Sequence, residues 1–373
     1  MVVLGTVVAV AMAGLVACWG RVRGGRTSRV VQRVGMLSLV QVSTLLFVAA
    51  AVNNYGYFYG SWSDLFGNGV RQDNVVAKVV ESTDGSGSST ASKGVAPVRV
   101  DVVPISWSTP RQYATRGEVL RVLVPGPRAA ITAPAYVYLP PQYFLRINKH
   151  RLFPGVEVLT GYPGYALGLV NRLDAPQVLL TAMAAHTAGP MVLVMMDPAV
   201  APPRDTECTN VPAGPQTLTY LAQDVPTYLE AHYRIRPLGW GAMGDSTGGY
   251  CATKIAMTTS DVFSAVVSLS GYYHAISDVT TGSLWGGSSV LANLNSPDWL
   301  LQHQPPPPVA ILATIGSDER GTEGAVDTHR FLALVRAPMT AQGIVVAGGG
   351  HNYSDWSRVM PRAMAFLWLH LRG

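Results

Sequence analysis

The sequence predicts a mostly parallel α/β domain preceded by two membrane-spanning helices, and three observations carry that reading. Two uncharged apolar runs near the N-terminus flank a cluster of arginines. Short, continuously apolar and often β-branched segments then alternate with helical patterns over roughly 250 residues. One of those segments leads directly into Gly244-Asp245-Ser246-Thr247-Gly248, with a helical run behind it.

The apolar runs come first in the chain. Residues 1–19 and 34–52 carry no charge, and residues 1–52 contain no Asp or Glu. At the helical rise each run spans ~28 Å, close to the hydrocarbon thickness of a bilayer. Between them stand Arg21, Arg23, Arg26, Arg29 and Arg33. The positive-inside rule keeps these arginines cytoplasmic and places the rest of the chain outside. They also account for the formal charge of +5: taking five from 27 basic residues leaves 22, equal to the 22 acidic ones. No basic face is left over for nucleic acid. A signal peptide would need positive charge ahead of its apolar stretch, and none precedes this one. Leu15-Val16-Ala17-Cys18 resembles a lipoprotein box without that leading charge, and Ala49-Ala50-Ala51 could be a peptidase site.

Residues 53–67 supply Tyr55, Tyr57, Phe58, Tyr59 and Trp62, as an interfacial aromatic belt would; a buried loop is the alternative. Residues 81–96 are Ser-, Gly- and Thr-rich without apolar periodicity and read as a linker. The expected organisation is an anchor over 1–52, an interfacial segment and linker over 53–96, and a catalytic domain over 97–373.

Within that domain, residues 118–124 and 135–139 read as early strands. The runs 156–159, 191–196, 239–243, 263–269, 309–315 and 344–347 suit strands buried on both faces of a parallel sheet. Helical patterns occupy 217–233, 247–258, 325–335 and 358–371. Residues 305–308, all proline, form a rigid entry to a strand.

Glycines flanking a serine between a strand and a helix describe a nucleophile elbow, the strained turn of the α/β-hydrolase fold. The serine then sits at a helix N-terminus, where free N–H groups favour a developing oxyanion. Ser246 is therefore the expected nucleophile. It needs a base oriented by an acid, and in this fold the chain order is serine, acid, histidine. Downstream lie His274, His303, His329, His351 and His370. His351 alone follows a late strand and precedes the terminal helix, in a Gly348-Gly349-Gly350 loop. The acid should follow the 309–315 strand, where Asp318 and Glu319 are both placed to reach it, with Arg320 as a partner for the other; Glu323 and Asp327 are less well placed. For the oxyanion, the amide of Thr247 is one expected donor, and that of Tyr162, in Thr160-Gly161-Tyr162-Pro163-Gly164, is the other.

Tyr138-Leu139-Pro140-Pro141-Gln142-Tyr143, Gly161-Tyr162-Pro163-Gly164, the serine elbow and Gly349-Gly350-His351 together resemble the putative-esterase family. That family includes esterase D, feruloyl esterase domains and mycobacterial mycolyltransferases. The Asn54–Gly67 stretch, Asp205-Thr206-Glu207-Cys208 and Ser246-Thr247-Gly248-Gly249-Tyr250-Cys251 are similar to actinobacterial members with two N-terminal spans. The resemblance implies an extracytoplasmic esterase or acyltransferase, and alignment through Gly321 implies Glu319, rather than Asp318, as the acid. Thr160 stands where many relatives carry histidine, and Asp245 adds a carboxylate beside the nucleophile.

Cys208 and Cys251 could pair in an oxidising compartment or stay as two buried thiols. No metal-ligand spacing or phosphate-cradling loop is present, and the expected chemistry needs no cofactor. Ester hydrolysis, acyl transfer to an alcohol and an inactive envelope scaffold are the three readings. An intact serine, acid and histidine weigh against the last.

Overall fold

The computed structural model describes residues 2–56, 113–202, 204–319 and 324–371. The expected linker at 81–96, residues 57–67 of the aromatic segment and the boundary near residue 97 lie outside them. The chain divides into two compact units, 1–71 and 72–373.

In the first unit, α1 (Val2–Cys18) and α2 (Arg26–Gly56) pack on one another. A Cβ on Gly5 would lie 3.4 Å from the Phe47 ring, so the start of α1 meets the far part of α2 and the pair is a hairpin. Apolar side chains such as Val10, Val16 and Leu45 point outward. Within α2, Arg26–Ala51 is long and apolar enough to cross a membrane, whereas the apolar stretch of α1 is shorter. The sequence reading placed all five arginines between the runs. α2 begins at Arg26, so its first turns carry Arg26, Arg29 and Arg33 ahead of the second apolar run, as arginine is a good helix former.

The second unit begins with α3 (Tyr113–Arg116), β1 (Glu118–Gly126) and β2 (Ile131–Leu139). Then come β3 (Gly155–Leu159), α4 (Ala166–Asn171), α5 (Ala175–Ala184) and β4 (Val192–Met196). A helical stretch follows: α6 (Thr217–Thr219), a π-helical turn (Tyr220–Asp224) and α7 (Val225–His232). The chain continues through β5 (Trp240–Asp245), α8 (Thr247–Thr258), β6 (Phe263–Leu269), α9 (Ser289–Leu294) and α10 (Pro297–His303). It ends with β7 (Ala310–Gly316), α11 (Ala325–Leu334), β8 (Thr340–Val346) and α12 (Tyr353–His370).

The strands form one eight-stranded sheet in the order β1-β2-β4-β3-β5-β6-β7-β8. β2 runs antiparallel to both its neighbours, β1 and β4, and every pair from β4 to β8 is parallel. All residues of β3, β4, β5 and β7 are buried, as expected of strands covered on both faces. β8 is the edge strand and is largely exposed, which is why only 344–347 gave an apolar signal.

The order reverses at β3, which lies between β4 and β5. In open α/β sheets, the crevice beyond the carboxyl ends of the strands at such a switch point is the ligand site. Here the two loops at that crevice are the one after β3, with Tyr162, and the one after β5, with Ser246.

Candidate active site

Ser246 takes φ +53° and ψ −124°, a conformation that side chains rarely adopt, between β5 and α8. Its flanking glycines are steric necessities. A Cβ on Gly248 would stand 2.1 Å from the Leu159 carbonyl oxygen, and one on Gly244 would stand 2.3 Å from Gly248. The close approach of β3 to the elbow thus depends on Gly-x-Ser-x-Gly. The Ser246 amide donates to the Leu269 carbonyl at 2.9 Å, which ties the elbow to the end of β6.

Thr247 is the first residue of α8, so its amide has no acceptor within the helix and is oriented at the elbow. Tyr162 lies in the turn after β3, closed by Gly164 N–H donating to Gly161 O at 2.8 Å. That turn lies against Ser246: a Cβ on Gly161 would be 2.8 Å from Ser246 Cβ. The Asp245 carboxylate holds it there by accepting from the Gly161 amide at 2.9 Å. Burial pushes Asp245 up to about 7, against the pull of that N–H and of His351. The residue that sequence reading noted as a departure is therefore a strut between the two loops. Thr160, where many relatives carry histidine, places its hydroxyl 3.1 Å from that of Tyr353.

Glu319 and His351 meet across the ends of β7 and β8. Glu319 Oε2 lies 2.8 Å from His351 Nδ1. Its other oxygen accepts from Gly316 N–H at 2.8 Å and from Ser270 Oγ at 2.7 Å. Ser270 Oγ in turn accepts from Trp356 Nε1 at 2.9 Å. The Trp356 ring stands edge-on to His351, with centroids 5.1 Å apart. Glu319 is thus held on three sides, its side chain only 6% exposed, while that of His351 is 47% exposed. Asp318 is exposed and, among the described residues, accepts from Ser317 Oγ at 3.0 Å; Arg320 and Glu323 lie outside the described residues. Asp327 is engaged elsewhere, with Arg330 and His274. The described residues contain no hydrogen bond between Ser246 Oγ and His351, a contact that commonly tightens only with substrate bound.

Behind Thr247 lies a polar cluster that sequence reading missed. The Tyr272 hydroxyl contacts Thr247 Oγ1 at 3.3 Å and donates to the Glu207 carboxylate. Lys254, fully buried on α8, donates to the Glu207 carbonyl, to Thr209 Oγ1 at 3.2 Å and to Asn295 Oδ1 at 3.1 Å. Burial lowers Lys254 to about 7 and, with the neighbouring Asp205, raises Glu207 to about 8. Cys208, next in the chain, is bonded to Cys251 of α8 by a disulfide. The loop and α8 are thereby joined covalently.

A serine on a strained strand-to-helix elbow, with a carboxylate-bound histidine at the ends of neighbouring strands, defines the α/β-hydrolase class. The chain belongs to the putative-esterase family, whose model matches residues 132–367, and its class of activity is carboxylic ester hydrolysis. No curated protein matches it by sequence. Among solved structures, the S-formylglutathione hydrolase of Agrobacterium tumefaciens has a TM-score of 0.60 at 15% identity, over 72% of this chain and 99% of that one. A ferulic acid esterase gives 0.56 at 17% identity, over 69% of this chain and 99% of its own. The fluorophosphonate-binding serine hydrolase F of Staphylococcus aureus gives 0.54 at 17%, over 67% and 98%. At such identities the likeness establishes the fold.

Proposed function

We propose that the chain cleaves a small carboxylic ester through an acyl-enzyme on Ser246. His351 takes the serine proton at Nε2, and Glu319 holds its Nδ1–H so that Nε2 is the basic nitrogen. The amides of Thr247 and Tyr162 receive the oxyanion of each tetrahedral intermediate. His351 passes that proton to the departing alcohol as the ester C–O bond breaks; water, deprotonated by His351, then attacks the acyl-enzyme and releases the acid, and the proton returns to Ser246. The observation that carries this reading is the 2.8 Å contact between Glu319 Oε2 and His351 Nδ1, on a carboxylate already fixed by Gly316 and Ser270. The exposure of His351 favours water over a buried alcohol acceptor as the acyl group's destination.

We further propose that α1 and α2 anchor the chain in a membrane, with the domain from about residue 97 outside the cytoplasm, as in the two-span actinobacterial members of the family. The apolar length of α2, the arginines before and within its N-terminal turns and the Cys208–Cys251 disulfide support this. A screen of p-nitrophenyl and natural esters, with and without alcohol acceptors, tests the activity. Turnover to the free acid without acceptor is expected. Turnover only when an alcohol is supplied would make the protein an acyltransferase.

A further inference from the structure

At the end of the sheet opposite the elbow, the connection from β2 to β3 is a built surface. It consists of two 3-10 turns, Pro141–Phe144 and Arg146–Asn148, and a further turn, closed by the Arg151 amide on the Asn148 carbonyl, that leads to the buried Phe153. The Arg234 guanidinium braces it from within, donating to the carbonyls of Tyr143 and Asn148 and stacking 3.8 Å from the Tyr143 ring centroid. Asn148 Nδ2 adds a bond to the Gln142 carbonyl at 2.9 Å. A segment held this firmly still turns Leu145, Ile147 and Leu152 to solvent, Ile147 at 89% exposure. Leu238 extends the apolar surface from the neighbouring segment, which bridges to this one through Ile235 and Phe153.

The charges on this surface have one sign. Arg146, Lys149 and Arg151 are exposed between the apolar residues, and residues 140–154 contain no Asp or Glu. Cations interleaved with outward aliphatic side chains are the composition of a surface that lies in an anionic headgroup layer. α3 packs on the first 3-10 turn, and the Tyr138 hydroxyl donates to the Arg116 carbonyl. β3 runs from this segment at Gly155 to the candidate active site at Leu159, so the surface and Ser246 occupy opposite ends of the sheet.

We infer that the 144–152 surface docks on the anionic leaflet of the bilayer that holds the N-terminal helices, leaving the Ser246 crevice open at the other end of the domain. This inference rests on the anchored reading above. Docking inserts the three aliphatic side chains at headgroup depth while the cations reach lipid phosphates.

The test uses the full chain in nanodiscs, with Cys18→Ser and a fluorophore on Ile147→Cys or, as control, on Val279→Cys. Val279 is fully exposed in the loop after the carboxyl end of β6. Acrylamide quenching at position 147 should fall severalfold when phosphatidylglycerol is added to phosphatidylcholine, and stay unchanged at 279. Removing each cation should weaken the surface association by about fivefold. The Arg146→Gln, Lys149→Gln, Arg151→Gln triple variant should therefore regain the quenching seen in phosphatidylcholine, with hydrolysis of a soluble ester unaltered. Equal quenching at 147 in both lipids would overturn the inference. So would protection at 147 that is already complete in detergent, because the chain itself would then cover the surface. A chain not retained in the nanodisc at all would instead refute the anchor.

Discussion

Replacing Glu319 by glutamine should lower the rate of Ser246 acylation by about 10⁴-fold, or ~5 kcal/mol, while the fold survives. The magnitude follows from which way the new amide must turn. Glu319 Oε1 accepts two donors, the Gly316 N–H at 2.8 Å and the Ser270 hydroxyl at 2.7 Å, and the first is backbone that cannot reverse its role. The glutamine oxygen therefore stays on that side, and its NH₂ faces His351 Nδ1. The imidazole must then accept at Nδ1 and carry its proton on Nε2, the tautomer that cannot take a proton from serine. Asp318→Asn changes only an exposed contact with Ser317 Oγ and should alter the rate by less than about twofold, as surface substitutions do. Stopped-flow release of p-nitrophenol from the two variants, with circular dichroism to confirm folding, decides between them. A crippled Asp318→Asn alongside a nearly normal Glu319→Gln would refute the assignment.

Three further outcomes follow. Ser246→Ala and His351→Ala should each remove nearly all turnover, and the double variant should lose little more, because the two act as a unit; strictly additive losses in kcat would contradict that. Reducing the Cys208–Cys251 disulfide, which closes a separation of 43 residues, should cost about 2–4 kcal/mol in urea unfolding, and an unchanged midpoint would show that it does not hold the loop to α8. Burial raises Asp197 and Asp245 to about 7, above unfolded values near 4, so the folded chain keeps protons that the unfolded chain releases. Their stabilising contribution is complete at low pH and is lost as pH rises, so unfolding free energy should fall between pH 5 and 7 by up to ~1.4 kcal/mol per pH unit per group. A flat or rising profile in that window, measured by denaturant titration, would contradict it.

How much of this was legible in the sequence depended on distance along the chain. The elbow was, because strand, strained serine, clearance glycines and helix are consecutive. The place of His351, between a late strand and the last helix, was as well, since no other histidine in the sequence has those neighbours. Residues alone left Asp318 and Glu319 open, because neighbours on a turn differ only in direction; Ser270 and Trp356, which fix that direction, come from the residue just past β6 and from α12. The cluster of Glu207, Tyr272 and Lys254 was invisible for the same reason, and a lysine within a helical pattern reads as a solvated face until its burial is known. α12 begins at Tyr353, five residues before the expected start, and its signal was present: Asn352 caps it by accepting from the Asp355 amide. The glycine run beside it masked that cap. α4 and α5 follow the loop after β3 closely and are short, with a proline in the first turn of α5, so neither shows a long apolar period.

The most direct measurement of the central claim is the site of covalent capture. The full chain, treated with a fluorophosphonate and digested, should carry a single adduct on Ser246, formed in step with the loss of ester hydrolysis and absent from Ser246→Ala. A folded protein that stays unmodified while hydrolysing ester, or an adduct that persists in Ser246→Ala, would contradict an acyl-enzyme on this serine.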